Sequence, residues 1–276
     1  MRKNDLMSNF DIVKNYANFL KTSYLPISPL DELMVSEQQR WSEVEKLGQS
    51  IRNENCYLIT NILDFSIVFA KNMEILGVNS LNTDKTKYLC LASSGGFLEL
   101  SMLYNKIIVE ISLIEPKYLS FLNPKFISQL PITKPNGEVI LIKKTLSPFQ
   151  YTSSGKIFSN LAEFTIIKEN YNNEPMEPRY MNSPEPLIVF FKEMIRKKFI
   201  EECSPFSPKE INIMKGYYQN PDFTLTQLAA ELSITFETLK SYNKSIITKA
   251  KEYMGPLFTL KNAKDVSVFF ERCSVI

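Results

Sequence analysis

The period of apolar and polar positions changes several times along the chain, and each change marks an element. Asp11 to Leu20 predicts a short amphipathic helix ended by the prolines of YLPISPL, and a longer helical pattern follows with Trp41, Val44, Leu47 and Ile51 on one face. The period then drops to two. Phe65, Ile67 and Phe69 alternate with Ser66, Val68 and Ala70, KNME interrupts, and ILGVNSL resumes, which predicts two strands joined by a tight turn. SSGGFLELSMLYNKIIVEISLIEPKYLSFLNP is expected to be helical or irregular, and SSGGF, which lacks GxxxxGK[ST], to be a turn or helix start rather than a phosphate loop. EVILIKKTLSPF from Glu138 and KIFSNLAEFTIIKE from Lys156 have strand composition on either side of the turn TSSG. Strands, a helical middle and a hairpin make an α+β pattern with an antiparallel sheet. Its aromatics, Phe65, Phe69, Phe97, Tyr104, Phe149, Phe158 and Phe164, are expected to be ordinary core.

Four prolines between Asn172 and Pro186 predict a linker that sustains neither helix nor central strand. A connecting helix follows from Leu187, with Phe190, Phe191, Met194 and Ile195 against Lys192, Arg196 and Lys197. From Pro205 the pattern is entirely helical. Ser207, Pro208 and Glu210 supply an N-cap, a first-turn proline and an acid that suits the helix dipole. Thr224 with Gln227 fits a capping box on a second helix whose stripe is Leu225, Leu228, Ala229 and Leu232. Thr235 caps a third helix running through Lys251. There Leu239, Tyr242, Ile246 and Ile247 face inward, and Thr238, Lys240, Ser241, Lys244, Ser245, Thr248 and Lys251 face outward. FTLKNAKDVSVFFERC predicts a fourth helix with Ala263, Val266, Phe269 and Phe270 apolar, a candidate dimer surface or a lid on the core.

Two short helices and a tight turn are the sequence form of a helix-turn-helix, whose last helix would enter the major groove. Four lysines and no acid lie between Thr238 and Lys251, whereas the segment from Glu201 onward holds nine basic and nine acidic residues. DNA affinity would therefore come from charge asymmetry rather than bulk charge. FSPKEINIM and TLTQLAAELSITFETLKSY resemble the LuxR-type helix-turn-helix, in step at Ser207, Glu210, Leu228, Ala229, Leu232, Ile234, Thr235, Thr238, Leu239 and Lys240. Tyr242 stands where that family commonly has histidine, and its apolar side predicts core packing. The resemblance implies groove contacts from Lys240, Ser241 and Lys244, with Thr238 near a phosphate. Upstream, roughly Asn53 to Glu169 resembles a PAS sensory domain: two strands, a helical middle with IEPKYL, then a hairpin turning at SSGK. That resemblance implies a cup-shaped sheet able to hold a small ligand or present a dimer surface.

Composition narrows the chemistry. Among 276 residues there is no histidine, which excludes histidine triads, HExxH zinc sites, histidine-bound haem and phosphohistidine relays. Cys56, Cys90, Cys203 and Cys273 form no CxxC pair and are expected as buried or half-buried thiols of a reduced cytosolic protein. The start of the chain has no signal-peptide pattern, and the longest apolar run, Tyr57 to Ala70, is too short and polar to span a bilayer. The expected organisation is an N-terminal helical arm (1–52), a PAS-like sensory domain (53–170), a proline-rich linker with connecting helix (171–204) and a LuxR-type domain (205–276). The expected function is a cytoplasmic, sequence-specific transcription regulator, not an enzyme, binding double-stranded DNA as a homodimer without membrane association. Thr224, Thr235, Thr238, Lys240, Ser241, Lys244 and Lys251 are the expected DNA contacts. No cofactor and no metal is expected, and the cup leaves room for a small-molecule or protein signal. The alternative is a protein-interaction or ligand-sensing module whose helix-turn-helix no longer binds DNA.

Overall fold

The structure is a computed structural model, and it describes residues 3–24, 31–50, 55–62, 64–77 and 95–276. Two helices open the chain, α1 (Lys3–Tyr24) and α2 (Glu37–Ser50). Strands β1 (Asn55–Asn61) and β2 (Ile67–Lys71) follow, then a single 3-10 turn at Met73–Leu76. Helix α3 (Gly96–Ile114) leads to β3 (Lys125–Thr133), β4 (Val139–Tyr151), β5 (Ile157–Lys168) and the short β6 (Arg179–Met181). All neighbouring strands pair antiparallel, in the order β2-β1-β5-β4-β3-β6. With α3 inserted between β2 and β3, the first five strands have the order of a PAS sheet. The second half is helical: α4 (Glu185–Lys198), a π-helical turn at Phe199–Cys203, α5 (Pro208–Gln219), α6 (Leu225–Glu231), α7 (Phe236–Met254) and α8 (Ala263–Arg272). The fold is thus α+β, a PAS-like antiparallel sheet joined to an all-α C-terminal region.

The expected hairpin of Phe65–Ala70 with ILGVNSL is corrected. Ile67–Lys71 pairs with the preceding β1 instead, Ile75 and Leu76 belong to the 3-10 turn, and residues 78–81 lie outside those described. β1 escapes the period-two rule because Cys56 and Leu58 on one face and Ile59 on the other are all buried, so apolar residues run continuously. β3 is hidden for another reason, because Pro131 within it argues against a strand. β6 lies inside the proline-rich stretch. As the edge strand it pairs on one side only, where a proline-flanked segment loses little. Trp41 is exposed rather than on the buried face of α2, which Val44 occupies, and Ile51 lies outside the described residues.

Among the described residues two apolar clusters flank the sheet. The smaller, Val44, Ile59, Phe149 and Leu161, sits under α2. The larger runs without a break from the sheet through α3 into α5, α7 and α8. At their junction the Phe97 ring meets Phe269 edge-on at 6.2 Å, and the buried Tyr104 hydroxyl donates to the Cys273 carbonyl at 2.8 Å. Gly95, which caps α3, and Gly96 form a notch for the end of α7. A Cβ on Gly96 would lie 2.7 Å from the Tyr253 ring and 2.8 Å from Met254 Sδ. The expectation of a helix start at SSGGF therefore holds at Gly95 and Gly96, while Ser93 and Ser94 lie outside the described residues.

The β4–β5 hairpin turns through Gly155 at φ +88°, where a Cβ would come within 2.0 Å of the Ser112 carbonyl oxygen. Both the backbone angle and the close approach demand glycine. Gly155→Ala is expected to destabilise the protein by about 2–3 kcal/mol, read as a lowered urea midpoint with unchanged m-value. An unchanged midpoint would show that the hairpin shifts away from α3 without cost.

Candidate nucleic-acid interface and candidate ligand cavity

Helices α5, α6 and α7 begin with the caps their sequences predict. Ser207 accepts from the Glu210 amide at 3.3 Å while the Glu210 carboxylate accepts from the Ser207 amide at 2.7 Å. Thr224 and Gln227 repeat this reciprocal pattern, and Thr235 accepts from the Thr238 amide at 3.1 Å. α6 reaches α7 through a short turn with Ser233 in the left-handed conformation (φ 53°). Leu228 and Ala229 of α6 and Leu239, Ile246, Ala250 and Met254 of α7 are buried. This is a helix-turn-helix with its second helix presented along one side.

Glu210 fastens α5 to α7. Its side chain is only 2% exposed and takes Lys249 Nζ at 2.7 Å and Ser245 Oγ at 2.7 Å. Burial alone raises its pKa. The Lys249 ammonium, the Ser207 amide and the Ser245 hydroxyl outweigh burial and hold it at about 2. Ser245 is thereby corrected from the outer face to an inward-facing tie, and the half-buried Lys249 is occupied by Glu210.

Of the expected contacts, Thr235, Lys240, Ser241, Lys244 and Lys251 are exposed on α7, and Thr224 is exposed at the start of α6. Thr238 is half-buried, its hydroxyl 2.8 Å from that of Thr235. Lys240 is held by Glu237 at 3.1 Å and lies over the Phe236 ring at 4.5 Å. Leu225 is exposed, contrary to the expected buried stripe, as are the neighbouring Phe223 and, on α7, Phe236. Tyr242 packs half-buried against the core, as its apolar side predicts. Ala263, Val266, Phe269 and Phe270 of α8 are all buried within the chain and close the core of the helical half.

A second site lies between α3 and the sheet. Here α1, α3, β1, β3, β4 and β5 enclose a cavity of about 90 Å³. Leu58, Met102, Leu130, Ile132 and Phe164 supply apolar wall, while Thr60, Ser101, Asn105, Lys144 and Asn160 bring polar groups to it. Lys144 is 8% exposed and sits 3.4 Å from Asn105 Oδ1. Burial lowers its pKa from 10.5 to about 8. The sequence reading passed over this residue. Its signal was phase: Ile140, Ile142, Lys144 and Leu146 share one face of β4, so a lysine stands where the alternation puts a core residue.

Because the folded pKa lies below the unfolded one, the unfolded chain binds more protons between about pH 8 and 10.5. Stability should rise with pH across that window, by about 3 kcal/mol from this group. Urea unfolding of the native protein and of Lys144→Met checks this: the buried thiols lower the stability of both as pH rises, so the stability of the native protein relative to Lys144→Met should rise by about 3 kcal/mol across the window, and a constant difference would sink the assignment.

The remaining thiols are inert in character. Burial pushes Cys56, Cys203 and Cys273 up to about 12, and Cys90 lies outside the described residues. No helix among the described residues is long and apolar enough to cross a membrane.

No family profile matches the chain, and no curated protein matches it. Among solved structures it is similar to the VqmA–DPO complex of a phage, at 12% identity and a TM-score of 0.29, covering 86% of this chain and 91% of that one. It is also similar to a Vibrio cholerae VqmA–ligand–DNA complex, at 12% identity and 0.27, covering 85% and 89%. An RNA-binding light-oxygen-voltage receptor gives 8% identity and 0.31, covering 78% and 47%. At such scores the likeness adds nothing to what the chain's own topology and side chains support.

Proposed function

We propose that the protein is a sequence-specific DNA-binding transcription regulator, not an enzyme, whose PAS-like half controls a C-terminal LuxR-type helix-turn-helix. The observation that carries this reading is α7. Its cap, turn and buried stripe fix the helix, while Lys240, Ser241, Lys244 and Lys251 remain exposed along its length. Lysines neutralise phosphates, and the hydroxyls of Thr224, Thr235, Thr238 and Ser241 can hydrogen-bond phosphates or base edges. A homodimer would set two such helices in half-sites about one helical turn apart. Selection of bound sequences from random duplex DNA tests the reading: a recovered two-fold symmetric site supports it, and an unenriched pool sinks it.

The exposed Phe223, Leu225 and Phe236 favour a second reading, in which this surface docks a protein instead of DNA. Loss of all duplex binding even at low salt, with folding intact, would select it.

A further inference from the structure

Buried ammonium groups in proteins are ordinarily paired with a carboxylate, because an unpaired charge in an apolar enclosure is costly. Lys144 departs from this. It lines the cavity between α3 and the sheet, and among the described residues no aspartate or glutamate forms an ion pair with it. Its neighbour across the space is the Asn105 amide, with Ser101 beside it on α3, and the paired Thr60 and Asn160 place further hydrogen-bonding groups on the sheet side. The rest of the lining is hydrocarbon and aromatic. One cation, a few neutral polar groups and an apolar wall form half of an ion pair beside a space that fits the other half.

We propose that this cavity binds a short monocarboxylate of about three to five carbon atoms, its carboxylate on Lys144 and the amides, and its alkyl end against Met102, Leu130 and Ile132. Size sets the chain length. An engineered apolar cavity of about 150 Å³ accommodates benzene, and the space here is about 90 Å³. Charge sets the head group. A neutral amide would leave the ammonium unpaired, and a phosphate dianion would bring one more negative charge than Lys144 can compensate. α1 contributes Tyr16 to the wall, so the N-terminal arm helps enclose the ligand.

The assignment adds a ligand class to the sensory half of the proposed function but does not depend on α7 meeting DNA. Thermal unfolding and isothermal titration of the full chain with propionate and butyrate test it, with propanamide and 1-butanol as neutral size matches. Both carboxylates should raise the unfolding temperature and the neutral compounds should not. Lys144→Met should fold at an equal or higher temperature and bind butyrate more than about tenfold more weakly. Ala162→Leu, which keeps the amine and fills the space, should lose binding too. Equal binding of propanamide and propionate, retained butyrate affinity in Lys144→Met, or no response to any carboxylate would each overturn the proposal. Duplex binding, measured separately, stands or falls by itself.

Discussion

Replacing Glu210 with alanine lowers stability by about 3–5 kcal/mol, the largest single effect expected in the helical half. The carboxylate is nearly inaccessible and holds three partners on two helices: the Ser207 amide, Ser245 and Lys249. Its removal leaves the Ser207 amide without its side-chain acceptor and the half-buried Lys249 ammonium without its partner. Acid should reproduce part of this loss. Its partners hold the carboxyl at about 2 in the folded protein against an ordinary 4.5, so its contribution is complete above about pH 4.5 and is lost as pH falls toward 2. That span corresponds to about 3 kcal/mol. Urea unfolding from pH 7 down to 2 should show a steep acid limb in the native protein and a flatter one in Glu210→Ala. Equal limbs would mean that Glu210 is not the group being titrated.

Lys240→Ala combined with Lys244→Ala should weaken duplex binding roughly 30-fold near 0.15 M salt and reduce the slope of log K against log salt by about 1.8. Each lysine counts as one phosphate contact. Neither side chain is buried, so folding should be unaffected. Lys240 also has to leave Glu237 to reach a phosphate, so Glu237→Gln should tighten binding while the double variant weakens it. A competition assay across a salt series measures all three proteins. An unchanged slope in the double variant would remove α7 as the phosphate-contacting helix.

Legibility in the sequence followed the physics of each element. The caps at Ser207, Thr224 and Thr235 are local, decided by residues three apart, and all three are found where the sequence predicts them. The β4–β5 hairpin was readable because a glycine-containing turn separates two runs of β-branched residues. β1 was not, because burial on both faces erases alternation, and β6 was not, because three residues cannot establish a period. The outward face of α7 was legible except at the half-buried Thr238 and at Ser245, whose hydroxyl answers to Glu210, 35 residues away, a pairing no local pattern contains. Lys144 was missed for a related reason. Its phase on β4 is local, but its significance comes from the acid that is not beside it, and only the assembled cavity reveals that.

Helix α3 carries a consequence for any regulator built this way. Ser101, Met102 and Asn105 line the cavity in its first half, while Gly95 and Gly96, about one to three turns earlier, receive the end of the helix that would lie on DNA. A ligand that tilts α3 changes the seat of α7, and thermodynamic reciprocity then works in both directions. An operator that prefers one seat must change the ligand's affinity by the same factor by which the ligand changes the operator's. The DNA site would act as an effector of the sensor, and the concentration at which the signal is detected would depend on whether the protein is already bound to its promoter.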